Sequence, residues 1–245
     1  MADDDFDIDR LASYLHFTPA QVARLADRGK LPGRKVQGAW RFSRADIHHW
    51  LENRIGISDD GELQQMENFL RMPSANRVQS IAELLSLKAI EVPLAARTKN
   101  SVIGSMAEVA SRTGSLWDPD KMAEAVRARE DMHPTALESG VALLHPRRPM
   151  SSILGEAFLA FGRTESGIPF GGSRGQLTDL FFLICSIDDR GHLQTLARLS
   201  RLIADPELVT TLREARDAKA VHDAISAAEV KLDSNIQSDH PGRRN

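Results

Sequence analysis

The sequence predicts an α/β (α+β) chain, with a mixed β-sheet flanked by helices preceded by a small basic unit of helices and one hairpin. Three observations carry this. From about residue 79, strand-like apolar runs alternate with helical spacing, the pattern of a sheet covered by helices. Residues 10–56 hold nine Lys/Arg against three acids, a net +6, whereas five Asp crowd the first nine residues. Between the two regions, Gly56, Ser58, Asp59, Asp60 and Gly61 make a polar break. A chain of 245 residues, 42% of them hydrophobic, is long enough for two cores without metals or cross-links.

The expected layout is a front domain over 1–56, a linker with a short helix over 57–78, a sheet domain over 79–231 and a disordered polar tail over 232–245. Cys185 is alone, so no disulfide forms within the chain, and its apolar surroundings mark it as a buried thiol in a reducing compartment. No segment approaches the ~18 uninterrupted apolar residues of a membrane span. A cytoplasmic protein without membrane insertion is expected.

In the front domain, Ile8, Leu11, Ala12 and Leu15 share one helical face. Thr18 followed by Pro19 gives an N-cap and a first helical proline. The second helix turns Val22, Leu25 and Ala26 inward and Gln21, Arg24 and Arg28 outward, and Gly29 ends it. Lys30 to Phe42 reads as a hairpin turning at Gln37 and Gly38, with Arg34, Lys35 and Arg41 as its cations. Ser43 caps a last helix whose core positions are Ile47, Trp50 and Leu51, with His48 and His49 read as surface residues. A helix presenting Arg and Gln beside a basic hairpin suits DNA, since the helix enters the major groove while the wing cations neutralise phosphates.

The run FDIDRLASYLHFTPAQVARLADRGKLPGRKVQGAWRFSRADIHHWLENR resembles the small excisionase-type, MerR-related winged helix-turn-helix family. The resemblance implies that Gln21, Arg24, Arg28, Arg34, Lys35 and Arg41 contact DNA. Farther on, Leu63, Met66, Phe69 and Leu70 place one apolar face on a helix from Glu62 to Leu70, suited to packing on a neighbouring domain or to a homodimer contact.

The sheet domain is expected to run through a helix at Ile81–Leu85, a strand at Ile90–Pro93, and helices at Lys99–Arg112 and Asp120–Arg129. Strands at Gly140–Leu144, Leu154–Arg163 and Thr178–Ile187 follow, then a helix at Gly191–Ala204 and two short C-terminal helices. Gly171 to Gly175 read as a hairpin turn, because no GxxxxGK[ST] motif is present. Nothing in the spacing of Cys, His and acids suggests a metal or another cofactor. His145 stands at the end of an apolar strand-like run, a place where side chains are presented to ligands.

The run from Arg129 to His145, R-E-D-M-H-P-T-A-L-E-S-G-V-A-L-L-H, resembles the signature of the fructose/mannitol-type, nitrogen-regulatory-like IIA domains of the bacterial sugar phosphotransferase system. Pro169 with Phe170, Gln176 to Leu180, and Gly191 to Leu196 follow the same family order. The resemblance implies an IIA fold in which His145 accepts a phosphoryl group from an HPr-like carrier, Arg129 binds the phosphoryl oxygens, and His192 contacts the phosphoryl group or orients His145. The expected function is a cytoplasmic regulator coupling that phosphohistidine to DNA binding. Two alternatives stand beside it. One is a phosphocarrier passing phosphate to a sugar permease or regulatory partner, and the other is a degenerate IIA domain sensing a metabolite or partner without covalent chemistry. The departures from the pattern are His133, Pro134, Leu137 and Glu138 in a loop that is usually glycine-rich, Leu144 where proline precedes the histidine, and Arg147 and Arg148 after it.

Overall fold

The computed structural model describes residues 5–15, 17–57, 80–172 and 175–238, and its contacts divide the chain into two units, Met1–Pro73 and Ser74–Asn245. In the first unit the expected apolar face builds α1 (Ile8–Leu15), with Leu11, Ala12 and Leu15 buried. The Thr18 hydroxyl accepts the Gln21 amide at 3.3 Å and Gln21 Oε1 accepts the Thr18 amide at 2.8 Å. This reciprocal capping box starts α2 (Pro19–Asp27). Strands β2 (Arg34–Val36) and β3 (Ala39–Ser43) pair antiparallel around Gln37 and Gly38, whose φ of 51° and 81° suit a tight hairpin turn. A two-residue strand, β1 (Asp5–Phe6), adds to the other edge of β3 and sets Phe6 opposite Phe42. It is too short to leave a period in the sequence. Helix α3 (Arg44–Ile57) closes the small core with Ile47 and Leu51.

The second unit contains α4 (Ile81–Leu84), a 3-10 turn (Leu87–Ala89), β4 (Ile90–Glu91), α5 (Lys99–Ser111), α6 (Pro119–Met132) and β5 (Val141–Leu144). Then come β6 (Phe158–Pro169), β7 (Leu177–Cys185), α7 (Asp189–Ile203), α8 (Pro206–Glu214) and α9 (Ala218–Ser238). The sheet order is β4-β6-β7-β5, with β6 and β7 antiparallel, β4 parallel to β6 and β5 parallel to β7. This is the mixed sheet flanked by helices that the alternation predicts. Residues 180–185 of β7 are all buried because both faces are covered, which is why the run is continuously apolar. One face sets Ala142, Leu144, Phe181, Leu183 and Cys185 in a core with Val102, Ile103 and Met106 of α5 and Met122 and Val126 of α6. Gly162 permits the close approach of α5, since a Cβ there would lie 2.6 Å from Met106 Sδ. Burial raises the thiol pKa of Cys185 well above its usual range, as befits an inert core residue.

Most boundaries fall within a few residues of expectation, and the larger departures are in β6 and the last helix. Strand β6 begins at Phe158, not Leu154, because Leu154 is drawn into an isolated bridge with Leu116. It then extends to Pro169 through an irregularity between Arg163 and Ile168. The last helix is 21 residues long and reaches Ser238, so residues 232–238 of the expected disordered tail are helical. Asp233 explains this, as its carboxylate accepts two bonds from Arg198 Nη2 at 2.9 and 3.0 Å. The remaining tail, 239–245, lies outside the described residues, as do the Glu62–Leu70 helix and Ser173 and Arg174 of the expected β6–β7 turn. Among the described residues no helix is long and apolar enough to cross a membrane.

Glu229 of α9 ties the two ends of the second unit together. Its carboxylate accepts the backbone N–H groups of Ile81 and Ala82, each at 2.9 Å, and the Ser80 hydroxyl. It also accepts Arg198 Nε at 2.6 Å. The carboxylate thereby caps α4, whose first N–H groups have no partner inside the helix. Burial opposes the charge, but the bonds from Ser80, Ala82, Ile81 and Arg198 outweigh it and hold the carboxyl below its ordinary 4.5. The folded-state pKa being depressed, this stabilisation is complete above the unfolded value and is lost as pH falls through the folded one. Glu229→Ala is expected to cost about 3 kcal/mol at neutral pH, by leaving Arg198 and the α4 amides short of an acceptor. In urea unfolding at pH 7 and at pH 4, the difference between wild type and variant should shrink at the lower pH.

Candidate functional site

His145 follows directly after β5, whose four residues are all buried. Strand pairing with β7 therefore fixes the backbone that carries it. The ring then turns back on its own strand, with Nδ1 2.8 Å from the Leu143 carbonyl oxygen. A carbonyl only accepts, so in the neutral ring Nδ1 carries the hydrogen and Nε2 the lone pair. His192 comes from the first turn of α7, where Asp188 caps the helix by accepting the Gly191 amide at 2.8 Å. The two rings lie 5.0 Å apart, centroid to centroid, inclined at 52°. Nδ1 of His192 faces the Ser186 hydroxyl at 3.3 Å. The structure thus joins two histidines separated by 46 residues of sequence.

Arg129 and Glu130 close α6. Arg129 Nη1 donates to the His133 carbonyl at 2.8 Å, wrapping the guanidinium around the end of its own helix. Sequence reasoning named Glu130 only as a member of the run from Arg129 to His145 and did not pair it with Lys99. Glu130 Oε1 accepts the Thr135 amide at 3.1 Å and the Thr135 hydroxyl, while Lys99 Nζ stands 3.3 Å from Glu130 Oε2. These contacts hold the loop with the unusual residues His133 and Pro134 against β5. Leu143 N reaches the Thr135 carbonyl at 3.4 Å, Leu137 N reaches the Val141 carbonyl at 2.8 Å, and Ala136 bridges to Ala142. Lys99 lies 31 residues from Glu130, so no local pattern reveals the pair. Arg147 and Arg148, just after His145, are exposed and enter no hydrogen bond or ion pair among the described residues.

In the front unit, Arg24 is exposed on α2, Arg28 is exposed as the residue that caps its C-terminus, and Arg34 and Lys35 are exposed on β2. Gln21 is engaged at the helix start through the Thr18 capping box. Arg41 is half-buried, its Nη1 donating to the Trp40 carbonyl at 3.3 Å. Acids prop the wing, as Asp5 pairs with Arg34 at 2.9 Å and Asp27 with Lys35 at 3.7 Å. Asp27 also accepts Trp40 Nε1 at 3.3 Å, and the Lys35 ammonium lies 5.0 Å from the Trp40 ring centre. The net +6 of this block hid these pairings, because Asp5 is 29 residues from Arg34. His48 and His49 are not independent surface residues, since Glu52 lies 3.1 and 3.4 Å from their rings.

A family model described as "Phosphoenolpyruvate-dependent sugar phosphotransferase system, EIIA 2" matches residues 83–228. A second, described as "Helix-turn-helix domain", matches residues 6–55. The fructose-specific EIIABC component of the phosphotransferase system of Bacillus subtilis is 32% identical over 148 residues, 60% of this chain but only 23% of that protein. The nitrogen regulatory protein of Bradyrhizobium diazoefficiens is 33% identical over 147 residues, 58% of this chain and 94% of that one. The crystal structure of nitrogen regulatory protein IIA-Ntr from Neisseria meningitidis superposes with a TM-score of 0.53 at 25% identity, covering 59% of this chain and 98% of that one.

The loop contacts predict a local phenotype. Glu130→Ala should destabilise the second unit by about 2 kcal/mol, the size of a lost buried network. It should also speed hydrogen exchange at the Thr135 amide while leaving the α9 amides protected, as read by residue-resolved exchange.

Proposed function

Because the chain belongs to the phosphoenolpyruvate-dependent sugar phosphotransferase system EIIA 2 family and carries a helix-turn-helix domain in front, we propose that it is a cytoplasmic phosphohistidine regulator. His145 receives a phosphoryl group from an HPr-like carrier, and the front domain binds DNA. The observation that carries this reading is the 2.8 Å contact between His145 Nδ1 and the Leu143 carbonyl, which makes Nε2 the nucleophilic nitrogen.

The Nε2 lone pair attacks the phosphorus of the carrier's phosphohistidine in line. The new N–P bond forms as the carrier's N–P bond breaks, and the electron pair of that bond returns to the carrier's imidazole. Positive charge developing on the His145 ring is met at Nδ1–H by the Leu143 carbonyl. Such a transfer asks mainly for alignment and for donors around the phosphoryl oxygens. Arg129 and His192 fill that role here, Arg129 as a permanent cation and His192 as a ring beside the acceptor. Gln21, Arg24, Arg28, Arg34, Lys35 and Arg41 form the DNA-binding set, with Arg24 on the helix, Arg28 at its C-terminal cap and Arg34 and Lys35 on the wing. A second reading, transfer onward to a sugar permease component, is favoured by the similarity to the B. subtilis EIIABC component.

Incubation with phosphoenolpyruvate, enzyme I and an HPr-type carrier should add one acid-labile phosphoryl group by intact mass, and His145→Ala should remove it. An unchanged mass with any carrier would leave only noncovalent sensing. Coupling is tested on a duplex that the protein itself selects from a random library. Adding about 1.5 to 2 negative charges is expected to weaken DNA binding about tenfold, with His145→Ala insensitive to the carrier mixture. Lys35→Ala, on the wing, should weaken binding to all sequences alike and reduce the salt slope by about one. Equal affinity of phosphorylated and unphosphorylated protein would contradict the coupling.

A further inference from the structure

The two histidines of the site differ in what faces Nδ1. His145 faces a carbonyl, which accepts only; His192 faces the Ser186 hydroxyl at 3.3 Å, which both donates and accepts. That difference sorts the rings. Against a carbonyl, the neutral imidazole keeps its hydrogen on Nδ1 and shows a lone pair at Nε2. Against a hydroxyl, the neutral ring accepts O–H at Nδ1 and carries its hydrogen on Nε2. When the ring is protonated, Nδ1–H donates to the same oxygen and Nε2–H persists. The Ser186 hydroxyl has no other hydrogen-bond partner among the described residues, which leaves its hydrogen available to Nδ1 of His192.

Ser186 is itself held on two sides. It follows Cys185, the last residue of β7, and its carbonyl accepts the Met150 amide at 3.1 Å, in the segment that leaves His145. One residue therefore links the end of the strand, the loop after the acceptor histidine and the second histidine. Resting on the phosphohistidine reading above, we propose that Ser186 is a positioning residue that keeps His192 an Nε2–H donor, in both of its charge states, toward the phosphoryl group on Nε2 of His145. The hydroxyl makes one histidine a donor while the carbonyl makes its neighbour a nucleophile, although both rings are chemically the same.

The test uses the full chain with 15N-labelled histidine, and long-range 1H–15N correlation to read each tautomer. Unphosphorylated wild type should show the hydrogen of neutral His192 on Nε2 and that of His145 on Nδ1. Ser186→Ala should shift His192 toward the Nδ1–H form and slow phosphoryl acceptance from the HPr-type carrier about tenfold, less than deletion of a donor outright. Ser186→Thr, which keeps the hydroxyl, should restore the tautomer and the rate to within about twofold. A purely packing role would lower thermal stability without moving the tautomer. The proposal is overturned if wild-type His192 carries its hydrogen on Nδ1, a measurement that needs no variant to fold, or if Ser186→Ala changes neither tautomer nor rate. Failure of the wild type to take up phosphate would remove the phosphohistidine reading, and the His192 tautomer would still decide Ser186 separately.

Discussion

The hydrogen bond from His145 Nδ1 to the carbonyl two residues back, 2.8 Å long, is the constraint on which the proposed chemistry of the second unit depends. It requires that Leu143 be immobile, and the fold supplies this by burying every residue of β5 and pairing the strand in parallel with β7. On the side of β5 away from β7, the loop after α6 is pulled in by Glu130, Thr135 and Lys99, so the strand has neighbours on both sides. A histidine on a mobile loop would sample both tautomers. Here the backbone chooses one, so under the proposed phosphohistidine chemistry Nε2 is set as the nucleophile before any partner arrives.

The rest of the second unit serves to hold that strand end and α7 in register. Glu229 and Asp233 reach from α9 to Arg198 of α7, and Glu229 also caps α4. The helix carrying His192 is thus fixed at its start by the Asp188 cap and farther along by a buried ion pair. Buried ion pairs are weak sources of net stability, but breaking one is costly, so they define one arrangement more firmly than they deepen it. At the sheet, Gly162 lets Met106 approach, and at the hairpin Gln37 and Gly38 turn the wing.

Much of this was legible in the sequence, for identifiable reasons. Capping at Thr18, the turn at Gln37 and Gly38, and the run of β7 are local patterns whose cause and effect lie within a few residues. His145 and His192 were both marked, and they stand side by side. What escaped was nonlocal. Strand β1 is two residues long, the Asp5–Arg34 and Glu130–Lys99 pairs join distant segments, and Ser186 looks like any serine after a strand. The tail was misjudged for a related reason. Polar residues from Leu232 to Ser238 read as solvent-exposed chain, yet Asp233 is anchored by an arginine 35 residues earlier.

The measurement that bears most directly on the central claim is the position of phosphorus on the ring, read from 15N spectra of histidine-labelled protein after phosphorylation by a carrier. Phosphorus coupling at Nε2 of His145, with Nδ1 still protonated, is the result expected from the Leu143 contact. Coupling at Nδ1, or at a histidine other than His145, would contradict it.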